Sequence, residues 1–529
     1  MNNKKTFDLY LLFFFSLIYQ TISIFFSIGD DNILHWLEAI RLNSGQLIYN
    51  DFYVPWGPIS SLIPYLFLKL TDSLGYSMII LSVIYNYIAG LLVYLIIYHT
   101  TNSRNLSVVS SIVTLAWFGI FIGGWYVDHV SYLITLFASF LFIKRFNYIL
   151  KFILIGSLMA LSLLTKQTTG FISSLILFIL IILYPSEKKI YEIISMIFGG
   201  LVILLIFVSY IMVFSNVDGF IDNFYRYPIE YSVNEPNKNP IVLIKNIFIP
   251  FNINILSALR DLNKGLIIFY PTIIYIYLSY LVYFKFKIFK LHNYFNFYFN
   301  FFLFSSLACG PMIGRNYSDV FWTFGAVFTM SNYLLIKYNN NNYIQIIRYF
   351  PIYLVILSFT TFGYPKFKDI KIFYHSDQNY IHPIPITNKS IPFIKFNDFI
   401  ETDKFIKSLK IDKNTKFYII DDHSLFFILT NKINNIAENL FFDLNINIPR
   451  NKILFLEWVN KQIDQINKYE PRFIIKSTKA SKRLFRVQNN NFKHYNVDIL
   501  DLNYFNDFIS EKYNLIFQNN TYEIFEFIK

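Results

Sequence analysis

The sequence has few charged residues for its length. Aspartate, glutamate, lysine and arginine make up 15% of its 529 positions, against roughly 25% in soluble domains. The shortage is concentrated before residue 365, and the remainder has the charge density of an ordinary soluble domain. Hydrophobic residues account for 55% of the chain, above the roughly 45–50% of soluble domains even with glycine counted. A soluble fold is therefore excluded for the part before residue 365.

Cysteine is almost absent too, since Cys309 is the only one. A single thiol excludes an intramolecular disulfide framework. The sequence also has no Gly-rich phosphate-binding loop, no Cys/His spacing of the zinc type and no Gly-x-Ser-x-Gly nucleophile elbow. The usual motifs of soluble enzymes are thus missing.

The formal charge of +12 does not indicate a nucleic-acid partner. Lysine and arginine form no single basic patch. They recur in short segments between apolar runs, which is the distribution that membrane insertion produces. We therefore expect membrane lipids, and no nucleic acid, around this chain.

The part of the chain with few charged residues contains long apolar runs. A helix needs about 20 mostly apolar residues to cross a membrane, and we predict about eleven such helices. They lie near 7–28, 76–98, 105–124, 129–146, 148–164, 168–184, 190–214, 265–284, 293–312, 318–337 and 346–363. The predicted fold is an α-helical polytopic membrane domain in residues 1–364, followed by a soluble α/β domain in residues 365–529.

The positions of lysine and arginine predict the orientation of these helices, because cytoplasmic loops are enriched in both. With the N-terminus in the cytoplasm, alternate loops hold most of the basic residues. These are Lys4, Lys5, Arg104, Lys144, Arg145, Lys151, Lys188, Lys189, Lys285, Lys287, Lys290, Lys337 and Arg348. An odd number of crossings then puts the C-terminal domain outside the inner (plasma) membrane.

Two predicted outer segments are long, residues 29–75 and 215–264. The first contains an amphipathic helix, Asn32 to Ser44, with Gly45 as its stop signal. A second apolar stretch, Ile59 to Leu70, follows a turn that contains proline. Helices of this kind are expected to lie in the membrane surface.

The C-terminal region alternates strand-like and helix-like runs. Phe417 to Ile420 and Arg472 to Ile475 are typical of buried strands, and Ser424 to Leu429 of a helix. Leu515 to Phe517 and Tyr522 to Phe527 predict a hairpin with a turn at Asn519 and Asn520. This alternation predicts the α/β fold.

Asp30 and Asp31 open the first outer loop, directly after the first predicted span. Two interpretations apply. Aspartate is a favoured N-cap, and an amphipathic helix begins here. Alternatively, a carboxylate at the membrane surface serves as general base for an acceptor hydroxyl or holds a divalent metal.

Another carboxylate, Asp128, lies with His129 in the short outer loop between predicted spans three and four. The preceding Trp125 is of a type common at membrane interfaces. The segment is either an ordinary interfacial loop or a source of a second carboxylate on the side that carries Asp30 and Asp31.

Lys166 and Gln167 interrupt the apolar run 148–184. Two short spans that meet at the outer face put Lys166 at the interface, because a charge in mid-bilayer costs about 2.5–3.5 kcal/mol on insertion scales. Lys166 is then either a snorkelling anchor or a phosphate ligand. Arg315, in another predicted outer loop, offers a bidentate fork suited to phosphate or carboxylate, and lipid head groups are its alternative partners.

Three stretches resemble the GT-C glycosyltransferases, chiefly the branch of protein O-mannosyltransferases and the lipid A aminoarabinose transferase. The first outer loop contributes Asp30-Asp31, Gly45, Tyr49-Asn50-Asp51-Phe52 and Trp56-Gly57-Pro58. Leu163 to Gly170 is similar to a Leu-Thr-Lys-Gln-x-x-Gly stretch of bacterial members. Asp421-Asp422-His423-Ser424-Leu425 resembles part of their periplasmic C-terminal domains. One departure is the Asp-Asp pair, where Asp-Glu is common.

The resemblance implies a polyprenyl-phosphate-sugar donor, an acidic residue in the first outer loop and, in many members, a divalent metal such as Mg, Mn or Zn. Sugar would pass to a cell-envelope acceptor (lipid, polysaccharide or protein) at the outer face of a bacterial inner membrane. Asp30, Asp31 and Asp128 are the catalytic candidates. The candidate ligands of the donor phosphate are Lys166, Gln167 and Arg315. The candidate metal ligands are Asp31, Asp128 and His129.

Two other classes of function share the many spans. A transporter or flippase for lipid-linked sugars would be expected to show ionisable residues deep in its spans or repeat symmetry, and the sequence shows neither. The other alternative is a non-catalytic assembly partner that uses the C-terminal domain as a binding module.

Overall fold

A computed structural model of the protein describes residues 3–27, 30–52, 54, 56–121, 125–226, 294–312, 330, 372–373, 386–387, 396–409, 415–420, 436–437, 460, 463–464, 466–477 and 507–528. The chain divides into two compact units. The first comprises Met1–Ile28, Met78–Ser209 and Pro240–Asp369, and the second comprises Gly29–Ser77, Tyr210–Asn239 and Ile370–Lys529.

Helices make up most of the described chain. In chain order they are α1 (Asn3–Ser27), α2 (Asp30–Asn43), α3 (Ile59–Thr71), α4 (Leu74–Thr101), α5 (Arg104–Phe121), α6 (Val127–Ile143), α7 (Tyr148–Thr165), α8 (Gln167–Leu183), α9 (Lys189–Phe214), α10 (Val217–Ile221), α11 (Tyr294–Met312) and α12 (Phe396–Ser408). A π-helical turn, Asp222–Arg226, follows α10 directly.

Eight of the predicted spans coincide with helices, namely α1, α4 to α9 and α11. Among the described residues, α4, α7, α9 and the Thr6–Ile24 part of α1 are long and apolar enough to cross a membrane, and α6 and α8 are shorter apolar helices. The predicted spans 265–284 and 346–363 lie outside the described residues, as does 318–337 except for residue 330. The chain is thus a helical, polytopic membrane protein.

The hairpin of α7 and α8 packs against α6 through hydroxyl groups. Ser131 donates to the carbonyl of Ser162 at 2.8 Å, and Ser162 donates to the carbonyl of Ser131 at 2.7 Å. Thr135 of α6 contacts the hydroxyl of Ser173 of α8 at 3.0 Å. All four side chains are fully buried. Such bonds hold apolar helices together where burial of apolar surface gives little driving force.

The second unit contains the first predicted outer segment, residues 215–239 of the second predicted outer segment, and the C-terminal residues from 370 onward. Helices α2 and α3 pack on each other, in agreement with the amphipathic helix and the apolar stretch predicted there. Gly45 follows α2 with φ +86°, a conformation that glycine adopts at no steric cost. It is the predicted stop signal of that helix.

The C-terminal residues form a mixed sheet of five strands. In chain order the described strands are β1 (Ile372–Phe373), β2 (Ile386–Thr387), β3 (Phe417–Ile420), β4 (Ile436–Ala437), β5 (Phe473–Ser477), β6 (Tyr513–Gln518) and β7 (Tyr522–Phe527). The order in the sheet is β4-β3-β5-β7-β6, while β1 and β2 form a separate antiparallel pair. Strand β3 is parallel to both neighbours, whereas β7 is antiparallel to β5 and β6.

The predicted strands of this region are confirmed, as is the hairpin of β6 and β7. Helix α12 covers part of the sheet, where Phe405 stacks on Phe517 at 4.5 Å between ring centroids. The predicted helix Ser424 to Leu429 lies outside the described residues. A domain boundary at residue 364 stays a prediction.

Candidate functional site

Asp128, Lys166 and Thr169 meet where α6, α7 and α8 begin or end, and we call them the carboxylate cluster. Asp128 is in the first turn of α6. Its Oδ1 accepts a hydrogen bond of 2.5 Å from the Thr169 hydroxyl, and its Oδ2 lies 4.0 Å from the Lys166 ammonium. The side chains of Asp128 and Lys166 are 7% and 12% exposed. The cluster is therefore a charge pair almost removed from solvent.

The backbone at the α7–α8 junction explains why Lys166 reaches Asp128. Lys166 is extended (φ −150°, ψ 118°) and separates the two helices by one residue. The turn stays tight because Gly170 touches α7: a Cβ atom there would lie 2.3 Å from the carbonyl oxygen of Ser162. The predicted meeting of two short helices at Lys166 is confirmed. The Lys166 side chain is 12% exposed and lies beside a carboxylate.

Aromatic side chains enclose the start of α6. Trp125 and Tyr126 are buried, and Tyr85 of α4 meets Trp125 edge-on at 5.5 Å between ring centroids. His129 is buried and meets Tyr126 edge-on at 4.8 Å. Low polarity around a charge pair strengthens its electrostatic interactions.

In the second unit, Asp30 and Asp31 are the first two residues of α2. Carboxylates in the first turn of a helix interact favourably with its dipole. Their side chains lie outside the part of the chain that the structure describes. A general-base or metal role for this pair therefore stays a prediction.

Further along α2, buried polar groups join it to α3. Glu38 accepts a hydrogen bond of 2.5 Å from Ser61, and His35 Nδ1 lies 3.2 Å from the same carboxylate. All three residues are at most 2% exposed. The network fixes the helix that begins with Asp30.

The loop after α2 is held by Asp51. Its carboxylate accepts from the backbone N–H of Leu47 at 2.8 Å, and Lys468 donates to it at 3.1 Å. The hydrogen bond from Lys468 to Asp51 raises the pKa of the lysine above its usual value. Asp51 is therefore a structural residue that ties the loop to the C-terminal residues of the same unit.

The resemblance implies a metal site, and its candidate ligands are Asp31, Asp128 and His129. Among the residues that the structure describes, no three His, Cys, Asp or Glu side chains are grouped closely enough to hold a metal. The Asp128 carboxylate accepts from Thr169 and faces an ammonium group. A metal role for the candidate ligands stays a prediction.

Sequence reasoning identified Asp128 and Lys166 separately, and the structure brings them together. Gln167 begins α8 beside Lys166. Arg315 lies outside the described residues. Thr169 was missed as a site residue, although its place in the first turn of α8, three residues after Lys166, was a usable signal.

Structural comparison finds similar folds in membrane enzymes. ArnT from Cupriavidus metallidurans bound to undecaprenyl phosphate is similar over 97% of this chain and 97% of its own, with a TM-score of 0.53 and 8% identity. The apo state of that ArnT covers 99% and 98%, with a TM-score of 0.41 and 10% identity. The apo oligosaccharyltransferase of Archaeoglobus fulgidus covers 89% of this chain and 69% of its own, with a TM-score of 0.48 and 11% identity.

No protein-family model and no curated protein sequence matches the chain. At such low identities the structural similarity concerns the fold alone. It rests on the ArnT complex, whose TM-score is above one half. ArnT is a GT-C membrane glycosyltransferase. The chain thus has a fold similar to that of ArnT.

Proposed function

We propose that the protein is a membrane glycosyltransferase that transfers a sugar from a polyprenyl-phosphate carrier to a cell-envelope acceptor at the outer face of the inner membrane. The observation that carries the proposal is the Lys166 ammonium, held beside Asp128 at the junction of two apolar helices. A cation at that position is suited to a lipid phosphate. The similar fold of ArnT in its complex with undecaprenyl phosphate supports the same ligand class.

The proposed reaction is an inverting displacement. The acceptor hydroxyl oxygen forms a bond to the anomeric carbon of the sugar while the bond from that carbon to the phosphate oxygen breaks. The bonding pair leaves with the phosphate, and a carboxylate of Asp30 or Asp31 takes the acceptor proton. Lys166 and Arg315, with Gln167 as a hydrogen-bond partner, neutralise the charge that develops on the polyprenyl phosphate.

In this scheme Asp128 assists by holding Lys166. A carboxylate near an ammonium attracts it and limits its range of rotamers. Asp128 thus keeps the Lys166 ammonium at the position proposed for the phosphate.

The proposed orientation puts the N-terminus in the cytoplasm and the C-terminal domain outside. Asp30, Asp128 and Lys166 then belong to segments predicted on the outer side. Polyprenyl-phosphate sugars presented there supply the donor, and the acceptor is a lipid, a polysaccharide or a protein of the envelope.

The direct test uses the purified protein in liposomes with an undecaprenyl-phosphate sugar as donor. Mass spectrometry is expected to show loss of the sugar from the carrier and its appearance on an acceptor from an envelope extract. Asp30→Asn or Asp31→Asn is expected to lower transfer by about a hundredfold or more, as when a general base is lost. An Asn side chain still caps a helix, so the melting temperature is expected to stay near the parental value.

Asp51→Asn is the matched control, because it makes the same chemical change in the same loop at a residue with a structural role. We expect it to lower stability more than transfer. Parental transfer rates in both first-loop variants would remove Asp30 and Asp31 from the mechanism. Movement of the intact lipid-linked sugar across the bilayer, with no cleavage, would identify a transporter instead.

A further inference from the structure

Thr169 donates its hydroxyl hydrogen to a carboxylate on a different helix, which sets it apart from most described helical Ser and Thr residues of the first unit. Hydroxyls in these helices commonly bond to the carbonyl one turn earlier, as Thr165 does to Leu161 and Thr114 to Ser110, both at 2.8 Å. Thr169 instead donates to Asp128 Oδ1 at 2.5 Å. It is 2% exposed, so water does not compete for the bond.

The two oxygens of Asp128 are thereby divided between two partners. Oδ1 accepts from Thr169 and Oδ2 faces Lys166. An aspartate bound at one oxygen has a fixed carboxylate plane, which fixes the direction from which the second oxygen attracts a cation. The Thr169 hydroxyl and the Lys166 ammonium thus meet opposite oxygens of one carboxylate.

The frame around this contact is stiff. Reciprocal hydrogen bonds between Ser131 and Ser162 join α6 to α7, and Ser131 comes one turn after Asp128 on α6. The hydroxyl oxygens of Thr135 and Ser173 lie 3.0 Å apart and join α6 to α8, and Ser173 comes one turn after Thr169 on α8. Thr135 is a buried, helix-bridging threonine like Thr169, but its hydroxyl bonds to serine hydroxyls and not to a carboxylate.

We propose that Thr169 is a positioning residue for the donor phosphate: its hydroxyl fixes the Asp128 carboxylate, and that carboxylate in turn places the Lys166 ammonium against the phosphate of the lipid carrier. The proposal rests on the proposed function. Thr169 makes no contact with the phosphate in this scheme. Thr169 instead affects the affinity for the donor indirectly, through the Asp128 carboxylate and the Lys166 ammonium.

The test compares Thr169→Val, Thr169→Ser and Thr135→Val in liposomes. Valine keeps the shape of threonine and removes the hydroxyl, whereas serine keeps the hydroxyl. For Thr169→Val we expect the KM for the undecaprenyl-phosphate sugar, and the Kd for undecaprenyl phosphate alone, to rise about tenfold, the scale of one hydrogen bond to a charged group. Thr169→Ser is expected to restore both. Thr135→Val is expected to lower the melting temperature and leave both constants unchanged.

A double-mutant cycle separates positioning from packing. In an Asp128→Asn background, Thr169→Val is expected to change the KM no further, because its effect passes through the carboxylate. If Thr169→Val does not fold, Thr169→Ala gives the same comparison with less crowding. Additive effects in the cycle, or equal changes for Thr169→Val and Thr135→Val, would overturn the positioning role.

The two proposals fail in different ways. A parental protein that neither transfers the sugar nor binds undecaprenyl phosphate refutes the proposed function, and the role of Thr169 is refuted with it. A parental protein that binds undecaprenyl phosphate, together with a Thr169→Val variant that binds it equally well, refutes the role of Thr169 alone.

Discussion

At the scale of single residues, helix α7 has a lysine at each end, and the two allow a matched test of the phosphate ligand. Lys166 lies beside Asp128, whereas Lys151, near the predicted cytoplasmic end, stacks over Phe152 at 5.0 Å. Methionine keeps a lysine-like stem and removes the charge. We expect Lys166→Met to lower kcat/KM for the donor by roughly tenfold to a hundredfold, the value of a charge-assisted bond of about 1.5–3 kcal/mol.

Lys151→Met is expected to leave kcat/KM for the donor unchanged, since no donor phosphate is expected at that end of the helix. Steady-state kinetics in liposomes checks both variants. Equal losses for the two lysines would mean that positive charge acts through the membrane surface and not through a phosphate contact.

A second residue-scale test concerns Asp8, which is 1% exposed although it carries a charge. Arg104 donates two hydrogen bonds to its carboxylate, at 2.7 and 2.6 Å, and Tyr94 donates a third at 2.9 Å. Arg104→Ala leaves a buried carboxylate without its counter-ion, which is more costly than loss of the pair as a whole. We therefore expect Arg104→Ala to lower the melting temperature by several degrees.

The double variant Asp8→Asn with Arg104→Ala is expected to recover part of that loss, because the buried group no longer carries a charge. Thermal melting of the detergent-solubilised protein measures the effect. A double variant no more stable than Arg104→Ala would show that lost packing of the arginine stem, and not the buried charge, dominates.

The sequence predicted which residues belong to the site better than it predicted the contacts between them. Asp128 and Lys166 were recognised because charged residues interrupt apolar runs. Their pairing was not predicted, since 37 residues of helix and turn lie between Asp128 and Lys166 and no local spacing rule joins residues so far apart. Thr169 was overlooked because a threonine in a helix usually bonds to its own backbone.

At the scale of elements, apolar periodicity and length predicted α1 to α9 and α11 among the described helices, whereas α10 and α12 were not predicted. The meeting of α7 and α8 at Lys166 followed from the cost of a charge in the bilayer. Strands β3, β5, β6 and β7 were predicted from short apolar runs and a turn, but their order was not. Parallel pairing of β3 with β5 joins residues more than fifty positions apart, and a strand pattern contains no information about its partner.

Glycines set the separation of α7 and α9, and they provide an element-scale prediction. A Cβ atom at Gly156 would lie 1.9 Å from the Met196 carbonyl oxygen, and one at Gly199 would lie 2.0 Å from that of Ile153. Backbone atoms cannot move aside as a side chain does, so the helices must separate. Gly156→Ala and Gly199→Ala are each expected to destabilise the protein by about 1–3 kcal/mol, as overpacking does.

Gly200 is the matched control on the same helix. A Cβ atom there would lie 3.5 Å from the Gly156 carbonyl oxygen, an ordinary contact. Gly200→Ala is expected to be neutral or to stabilise the helix by up to about 1 kcal/mol. Melting curves of the three alanine variants decide the question, and equal losses at all three positions would contradict close packing of α7 on α9.

At the scale of the whole molecule, one contact restricts the topology. Lys468 donates to Asp51 at 3.1 Å, and both belong to the second compact unit. Residues in direct contact lie on the same side of a membrane, so an even number of spans must separate them. The eleven predicted spans leave ten between the two residues. The contact thus agrees with the parity of the predicted spans, and a cytoplasmic N-terminus with an outer C-terminal domain stays a prediction.

Thiol labelling tests that orientation, because Cys309 is the only native cysteine. In a Cys309→Ser background, cysteines at Asn50 and at Asn520, in the turn between β6 and β7, are expected to react with an impermeant maleimide in intact spheroplasts. A cysteine at Lys188, on the α8–α9 turn, is expected to react only after lysis. All three positions are exposed, so access and not burial decides the result. Labelling of Lys188→Cys before lysis, with protection of Asn50→Cys, would put Asp30, Asp31 and the carboxylate cluster on the cytoplasmic side and contradict transfer at the outer face.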